Sequence, residues 1–85
     1  MHYVYFLQSE RDKGFYIGYT KDLQKRLSQH NDGLVISTKN RKPFRIIYYE
    51  SYLAEGDART RERRLKQFKN SYKELMKRIN GSLQA

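Results

Sequence analysis

Glu62 is the residue of this chain whose chemistry most needs an explanation. It lies four residues after Ala58 and three before Leu65, so a helix through this stretch turns it onto or beside the apolar stripe. A carboxylate rarely goes there without a partner or a cation. One answer is an ion pair on the helix surface, with Arg59 or Lys66 as partner, which contributes little. The other reactive types sit far away in sequence. Tyr5 and Tyr16 belong to a set of eight tyrosines, and Gly18 follows Tyr16 closely. Arg26 and His30 are four residues apart, the spacing that puts two side chains on one edge of a helix. His30 taken alone is a helix-end residue, a base or a ligand. With two histidines and no cysteine, no zinc spacing exists.

Elements must bring these residues together. Tyr3–Gln8 and Gly14–Tyr19 are rich in Tyr, Val, Ile and Phe, and Ser9–Lys13 between them is turn chemistry closed by Gly14, so they read as a hairpin. Pairing Tyr5 opposite Tyr16 leaves a short loop. Side-chain alternation then puts Tyr3, Tyr5, Leu7, Tyr16 and Gly18 on one face. Val4, Phe6, Phe15, Ile17 and Tyr19 fall on the other. The second face is oily, whereas the first crowds phenols beside a glycine that permits close backbone approach.

Thr20 or Asp22 caps a helix to about Asn31, with Leu23, Leu27 and His30 as its inner stripe and Asn31-Asp32-Gly33 as its end. Leu34–Pro43 is a loop in which Lys39, Arg41 and Lys42 cluster and Ser37, Thr38 and Asn40 are candidate phosphate donors. Phe44–Glu50 is a third strand, opened by Pro43. Ser51–Lys69 is a second helix with Ala54, Ala58, Leu65 and Phe68 inward, broken at Asn70. Ser71-Tyr72-Lys73-Glu74 is a capping box for a last helix that buries Tyr72, Leu75, Met76 and Ile79 and closes at Gly81. The order is ββαβαα, an α+β fold on a small three-stranded antiparallel sheet with flanking helices.

At 85 residues this reads as one domain, 1–85, near the lower limit of size for folding without staples. The absence of cysteine excludes disulfides and fits a reducing cytoplasm. The N-terminus reads as a strand rather than a signal peptide, and no apolar run approaches the roughly 20 residues of a membrane span. Eighteen basic against nine acidic side chains give a formal net charge of +9. A small domain this basic points to a polyanionic partner, nucleic acid first, with an acidic membrane surface or protein as the weaker readings of the charge. Nucleic acid and no membrane is the expectation, and the run Arg59–Lys69 is dense enough to face phosphates.

The joint spacing resembles the GIY-YIG nuclease superfamily. The residues that carry the likeness are Tyr3-Val4-Tyr5, then ten residues to Tyr16-Ile17-Gly18, then Arg26 with His30, and then Ala58, Glu62 and Lys66. The second half-motif matches in full, whereas Tyr3 and Val4 replace the glycine and isoleucine of the first. The likeness covers nearly the whole chain and is strongest to the small single-domain members, which resemble the catalytic module of excision-repair incision subunits and homing endonucleases.

The resemblance implies a divalent-metal-dependent endonuclease acting on DNA, with one Mg²⁺ (or Mn²⁺) held by Glu62. Waters and phosphate would complete the octahedron. Arg26 would clamp the scissile phosphate with its planar fork. Tyr5 would take the proton of the attacking water, directly or through a relay, with nearby cations lowering its pKa from about 10. Tyr16 would bind or orient water or phosphate, and His30 is open as base or phosphate contact. Gly18, Lys39, Arg41, Lys42 and Lys66 are the expected substrate-binding residues. RNA or branched nucleic acid are further candidate substrates, and weak sequence preference or a protein partner for targeting is expected of so bare a module. A nucleic-acid-binding module of the same fold without turnover is the alternative. A ribosome-associated binder explains the charge but not Glu62.

Overall fold

The computed structural model describes residues 1–84. The chain runs β1 (His2–Ser9), β2 (Phe15–Thr20), α1 (Leu23–Asn31), a 3-10 turn (Lys39–Arg41), β3 (Phe44–Tyr52), α2 (Glu55–Gln67), α3 (Lys69–Arg78) and α4 (Asn80–Gln84). The expected ββαβαα order and three-stranded antiparallel sheet are both present, with the strands in the order β2-β1-β3. No helix among the described residues is long and apolar enough to cross a membrane.

The sheet has helices on both faces because the two faces of β1 are both apolar. Val4, Phe6 and Ile17 pack with Ala58, Leu65, Leu75 and Ile79 from α2 and the α3 end. On the opposite face Tyr5, Leu7 and Phe44 form a smaller cluster, covered by Leu23 and Leu27 of α1 and by Tyr16 and Ile46. The alternation read from the sequence therefore sorts the residues correctly. Its register does not hold. Tyr5 faces Gly18 and Leu7 faces Tyr16, a slip of two residues from the expected Tyr5–Tyr16 pair. The turn explains the slip. Ser9 N–H donates to the Gly14 carbonyl at 2.9 Å and Lys13 N–H to the Ser9 carbonyl at 2.9 Å, which closes a loop over Glu10–Lys13. The Ser9 hydroxyl accepts from the backbone N–H of Arg11 and of Asp12, both at 3.1 Å, and Lys13 takes a positive φ of 64°. A slip of two preserves every side-chain face, whereas a slip of one would have turned the phenols into the other core.

α1 starts where Asp22 accepts from the Lys25 N–H at 3.1 Å. Its far end is fastened to β3 by Asn31, whose amide donates to the Phe44 carbonyl at 3.1 Å and accepts the Phe44 N–H at 2.7 Å. These two anchorages fix the helix that carries Arg26 and His30.

The second half departs from expectation at several boundaries, beginning with β3, which runs on to Tyr52 instead of ending at Glu50. α2 begins at Glu55 rather than Ser51, and Ala54 is exposed. It ends at Phe68, which is 55 % exposed instead of inward and forms the joint with α3. α3 starts at Lys69, so the Ser71–Glu74 box falls inside the helix, and Gly81 lies within α4 rather than ending a helix. The extended backbone of Phe68 (φ −111°, ψ 111°) breaks the helical path before Asn70 is reached.

Candidate active site

Tyr5 stands at the centre of the α1-facing side of β1, 2 % exposed. Gly18 opposite makes this possible. A Cβ at Gly18 would collide with the hydroxyl and ring carbons of Tyr5. The sequence suggested that this glycine admits substrate, but its first task is to admit a phenol. Gly18→Ala is expected to force the ring aside and to destabilise the domain by about 1–3 kcal/mol. Thermal melts of the two proteins measure the loss.

A directed hydrogen-bond chain leaves the Tyr5 hydroxyl. Arg26 can only donate, and its Nε donates to the Tyr5 oxygen at 3.4 Å. The phenolic hydrogen is then free to be donated to His30 Nε2 at 3.0 Å. With Nε2 accepting, His30 carries its proton on Nδ1 and donates it to Thr38 Oγ1 at 2.7 Å. The Thr38 hydroxyl donates onward to the Val35 carbonyl at 3.5 Å. All five groups are thereby satisfied with a neutral imidazole. Thr38 is fully buried, so it is a partner of the histidine and not the phosphate donor that the loop composition suggested.

Burial, and then the charge of Arg26, push His30 down to about 4. It is a neutral acceptor at physiological pH. Burial also pushes Tyr5 above its ordinary value of 10, and the Arg26 hydrogen bond opposes that only in part. Arg26 lowers it as the sequence led us to expect, but burial outweighs that cation and the neutral His30 adds no second one. The depressed histidine has a consequence for stability. Its unfolded-state pKa is about 6.5, so between about 6.5 and 4 the unfolded chain binds a proton that the folded one does not. The contribution is fully present above pH 6.5 and is lost as pH falls towards 4, up to about 3 kcal/mol. Melts across this window should show the loss, and His30→Gln should flatten it.

Tyr16 completes the phenol pair, its ring 6.3 Å from that of Tyr5 and 5.0 Å edge-on to His30. It is half-buried, and its hydroxyl lies outside the Arg26–Tyr5–His30 chain. α2 packs on the other face of the sheet, yet it reaches round the edge strand β2. Lys66 Nζ lies 5.8 Å from the Tyr16 ring centre and 3.2 Å from Glu62 Oε2. The Glu62 charge is close enough to act on Tyr5. Tyr5, Tyr16, Arg26 and His30 therefore meet on the α1-facing side of the sheet, and Lys66, paired with Glu62, reaches Tyr16 across the β2 edge.

The remaining basic residues divide. Arg41 is committed to the fold: its Nε pairs with Asp12 at 2.8 Å and its guanidinium lies 5.7 Å from the Phe44 ring centre. Lys39 and Lys42 are exposed. In the basic run Arg59–Lys69, Arg59 pairs with Glu55 and stacks over Tyr19 at 4.0 Å, while Arg63 and Arg64 of α2 and Lys69 at the start of α3 are exposed.

Arg61 shows a cluster that the sequence did not disclose. Its fork meets both oxygens of Glu50 at 2.8 and 3.0 Å, and the Tyr48 and Tyr52 hydroxyls donate to the same carboxylate at 2.7 and 2.6 Å. Burial raises Glu50, but the Arg61 fork and the two phenols outweigh it and hold the carboxyl below its ordinary value. This bidentate pair ties β3 to α2 one residue before Glu62 and so fixes the rotation of the helix. The alternation Tyr48-x-Glu50-x-Tyr52 was the available signal, since it places all three on one strand face.

No group of three or more His, Cys, Asp or Glu side chains among the described residues could hold a metal ion. Glu62 offers a single hard carboxylate, its side chain 18 % exposed, which suits an ion that keeps most of its water.

The sequence model of the GIY-YIG catalytic domain matches residues 1–79. A UPF0213 protein of Halobacterium salinarum is 36 % identical over 77 residues, covering 89 % of this chain and 99 % of that one. The UPF0213 protein YazA of Bacillus subtilis is 37 % identical over 75 residues, covering 87 % and 75 %. Among solved structures, the solution NMR structure of a UPF0213 protein from Bacillus halodurans is similar with a TM-score of 0.57 and 31 % identity, over 94 % of this chain and 85 % of that one.

Proposed function

The chain belongs to the GIY-YIG catalytic domain family, a nuclease family, and on that premise we propose that it is a divalent-metal-dependent endonuclease hydrolysing phosphodiester bonds in DNA with weak intrinsic sequence preference. The observation that carries this reading is the meeting of Arg26, Tyr5 and a neutral His30 in one hydrogen-bond chain beside Tyr16, with the Glu62–Lys66 pair reaching Tyr16 across the β2 edge. Those are the groups that hydrolysis requires: a phosphate clamp, a path for the water's proton and an anchor for a hard cation.

Glu62 would hold one Mg²⁺ or Mn²⁺ and Lys66 would neutralise the approaching phosphate. When bound, the ion supplies Lewis-acid stabilisation of the transition state and assists the leaving oxygen. Arg26 keeps its terminal guanidinium nitrogens for phosphate while Nε holds the Tyr5 oxygen, although one of them also reaches Gln29 Oε1 at 3.1 Å. A protonated phenol accepts a proton only by giving its own away. Tyr5 already points its hydrogen at the His30 lone pair, so it passes the water's proton through in one exchange. Phosphate at Arg26 offsets the cation that helps to depress His30, so substrate itself prepares the acceptor. Tyr16, half-buried at the rim, orients the water or the phosphate.

Incubating the protein with single-stranded, duplex, flapped and RNA substrates in magnesium or manganese tests the proposal. Metal-dependent internal cleavage of DNA is expected, with none in chelator. Tight binding with no cleavage of any substrate would establish the binding-module alternative instead.

A further inference from the structure

Beside Tyr16 a groove of about 520 Å³ opens between β2 and the joint of α2 with α3. Phe15, Tyr16, Phe68 and Tyr72 are among its lining residues, and Lys66 and Lys69 contribute its charge. The Tyr72 ring is stacked on Phe6 and the Tyr16 ring lies edge-on to His30, which leaves the exposed Phe68 as the ring free to receive a ligand. Phe68 belongs to neither core cluster and is 55 % exposed at the helix joint. One exposed phenylalanine is ordinary. An exposed ring in an aromatic-rich groove with two lysines, bordered by Tyr16 and Lys66 on a chain of net charge +9, is the combination that holds nucleobases: cation for the backbone, ring face for the base. The volume is within the range of small-molecule pockets and admits a nucleoside-sized group. Bases in a duplex are already stacked on one another and turn only their edges outward. An unpaired nucleotide alone can present a ring face here.

We propose that this groove is a stacking subsite for an unpaired nucleobase next to the scissile phosphate. It would direct cleavage to strands with single-stranded character: a flap, a gap, a frayed end or a free strand. The proposal deepens the nuclease reading and rests on it for the position of the cut, whereas base binding stands on the groove alone. The closing experiment therefore measures binding without metal. Affinities are compared for a short single strand, the same strand with consecutive abasic residues, and the same sequence as duplex. The intact protein should hold the base-bearing strand roughly five- to a hundred-fold more tightly than the abasic one, the range that base–aromatic stacking supplies. Phe68→Leu keeps an apolar side chain but removes the ring. It should abolish most of that preference while leaving abasic-strand and duplex binding unchanged, and Phe68→Tyr should restore it. Equal binding of base-bearing and abasic strands by the intact protein would overturn the proposal, as expected of a groove built for a protein side chain. So would a Phe68→Leu protein that keeps the full preference. An intact protein that shows the base preference but cuts nothing would defeat the nuclease reading and leave the subsite standing.

Discussion

Glu62→Gln is expected to fold, to bind nucleic acid and to lose magnesium-dependent cleavage by about a thousand-fold or more, the scale of several kcal/mol of transition-state stabilisation. The geometry makes this a clean test. Among the described residues Glu62 pairs with Lys66 at 3.2 Å, in an i,i+4 pair whose lysine is 47 % exposed. Such a pair contributes only about 0.3–0.5 kcal/mol, so its loss hardly moves the melting temperature. The rotation of α2 does not depend on it either, because Ala58 and Leu65 are buried and Arg61 is locked to Glu50. Glutamine keeps the size and hydrogen-bonding capacity of the side chain and removes only the charge that attracts a hard cation. Cleavage rates and melts are measured side by side, with and without magnesium. A stable Glu62→Gln protein that cuts at the wild-type rate would sink the metal assignment and the mechanism with it. Loss of stability and cleavage in proportion would make Glu62 a structural ion-pair partner.

The site was legible in the sequence to the extent that spacing alone defines it. Alternation placed Tyr5, Tyr16 and Gly18 on one face, and helical periodicity put Arg26 beside His30 and Glu62 beside the α2 stripe. These inferences survived a wrong register, since a slip of two residues leaves faces unchanged. The role of Gly18 was not legible for the same reason: with Tyr5 set opposite Tyr16, nothing required a missing side chain at Gly18. Thr38 was hidden because a polar residue in a basic loop reads as solvent-facing. Only the tertiary path, which returns the loop beneath α1, makes it the partner of a buried histidine. The charge count misled at Arg41, Arg59 and Arg61, whose guanidinium groups are held by Asp12, Glu55 and Glu50. Counting cations gives the sign of the partner, but it does not say which cations are left to meet it.

Phe68 is the most instructive departure. Periodicity turned it inward as the last member of the α2 stripe, and that would hold if the helix continued to Asn70. The helix ends at Gln67, two residues after Leu65, and the ring is carried to the outside. A local break that exposes a large apolar side chain beside the site conflicts with folding economy, and such conflicts concentrate at functional surfaces.

Tyr5→Phe is the second large effect, and it separates the proton path from its neighbours. The substitution removes one oxygen at the head of the chain Arg26–Tyr5–His30–Thr38. His30 Nε2 then keeps a buried lone pair with no donor, which costs about 1–3 kcal/mol of stability. The ring itself still fills the space over Gly18, so the fold is retained. Binding should change little, because Arg26 loses an intramolecular acceptor but keeps its charge. Single-turnover cleavage, corrected for the folded fraction, should fall by about 10²–10⁴, the usual range for loss of a positioned proton acceptor. The pH dependence supplies an independent reading. The relay needs His30 neutral, and in the free protein burial with Arg26 holds its pKa at about 4. So kcat/KM, which reports the free enzyme, should persist below pH 6 rather than decline near 6.5 as an unperturbed histidine would require. Full single-turnover activity in Tyr5→Phe would move the proton to Tyr16, the half-buried phenol outside the chain. The same assay on Tyr16→Phe would then show the loss, with His30 and Thr38 left as the scaffold that holds the first phenol in place.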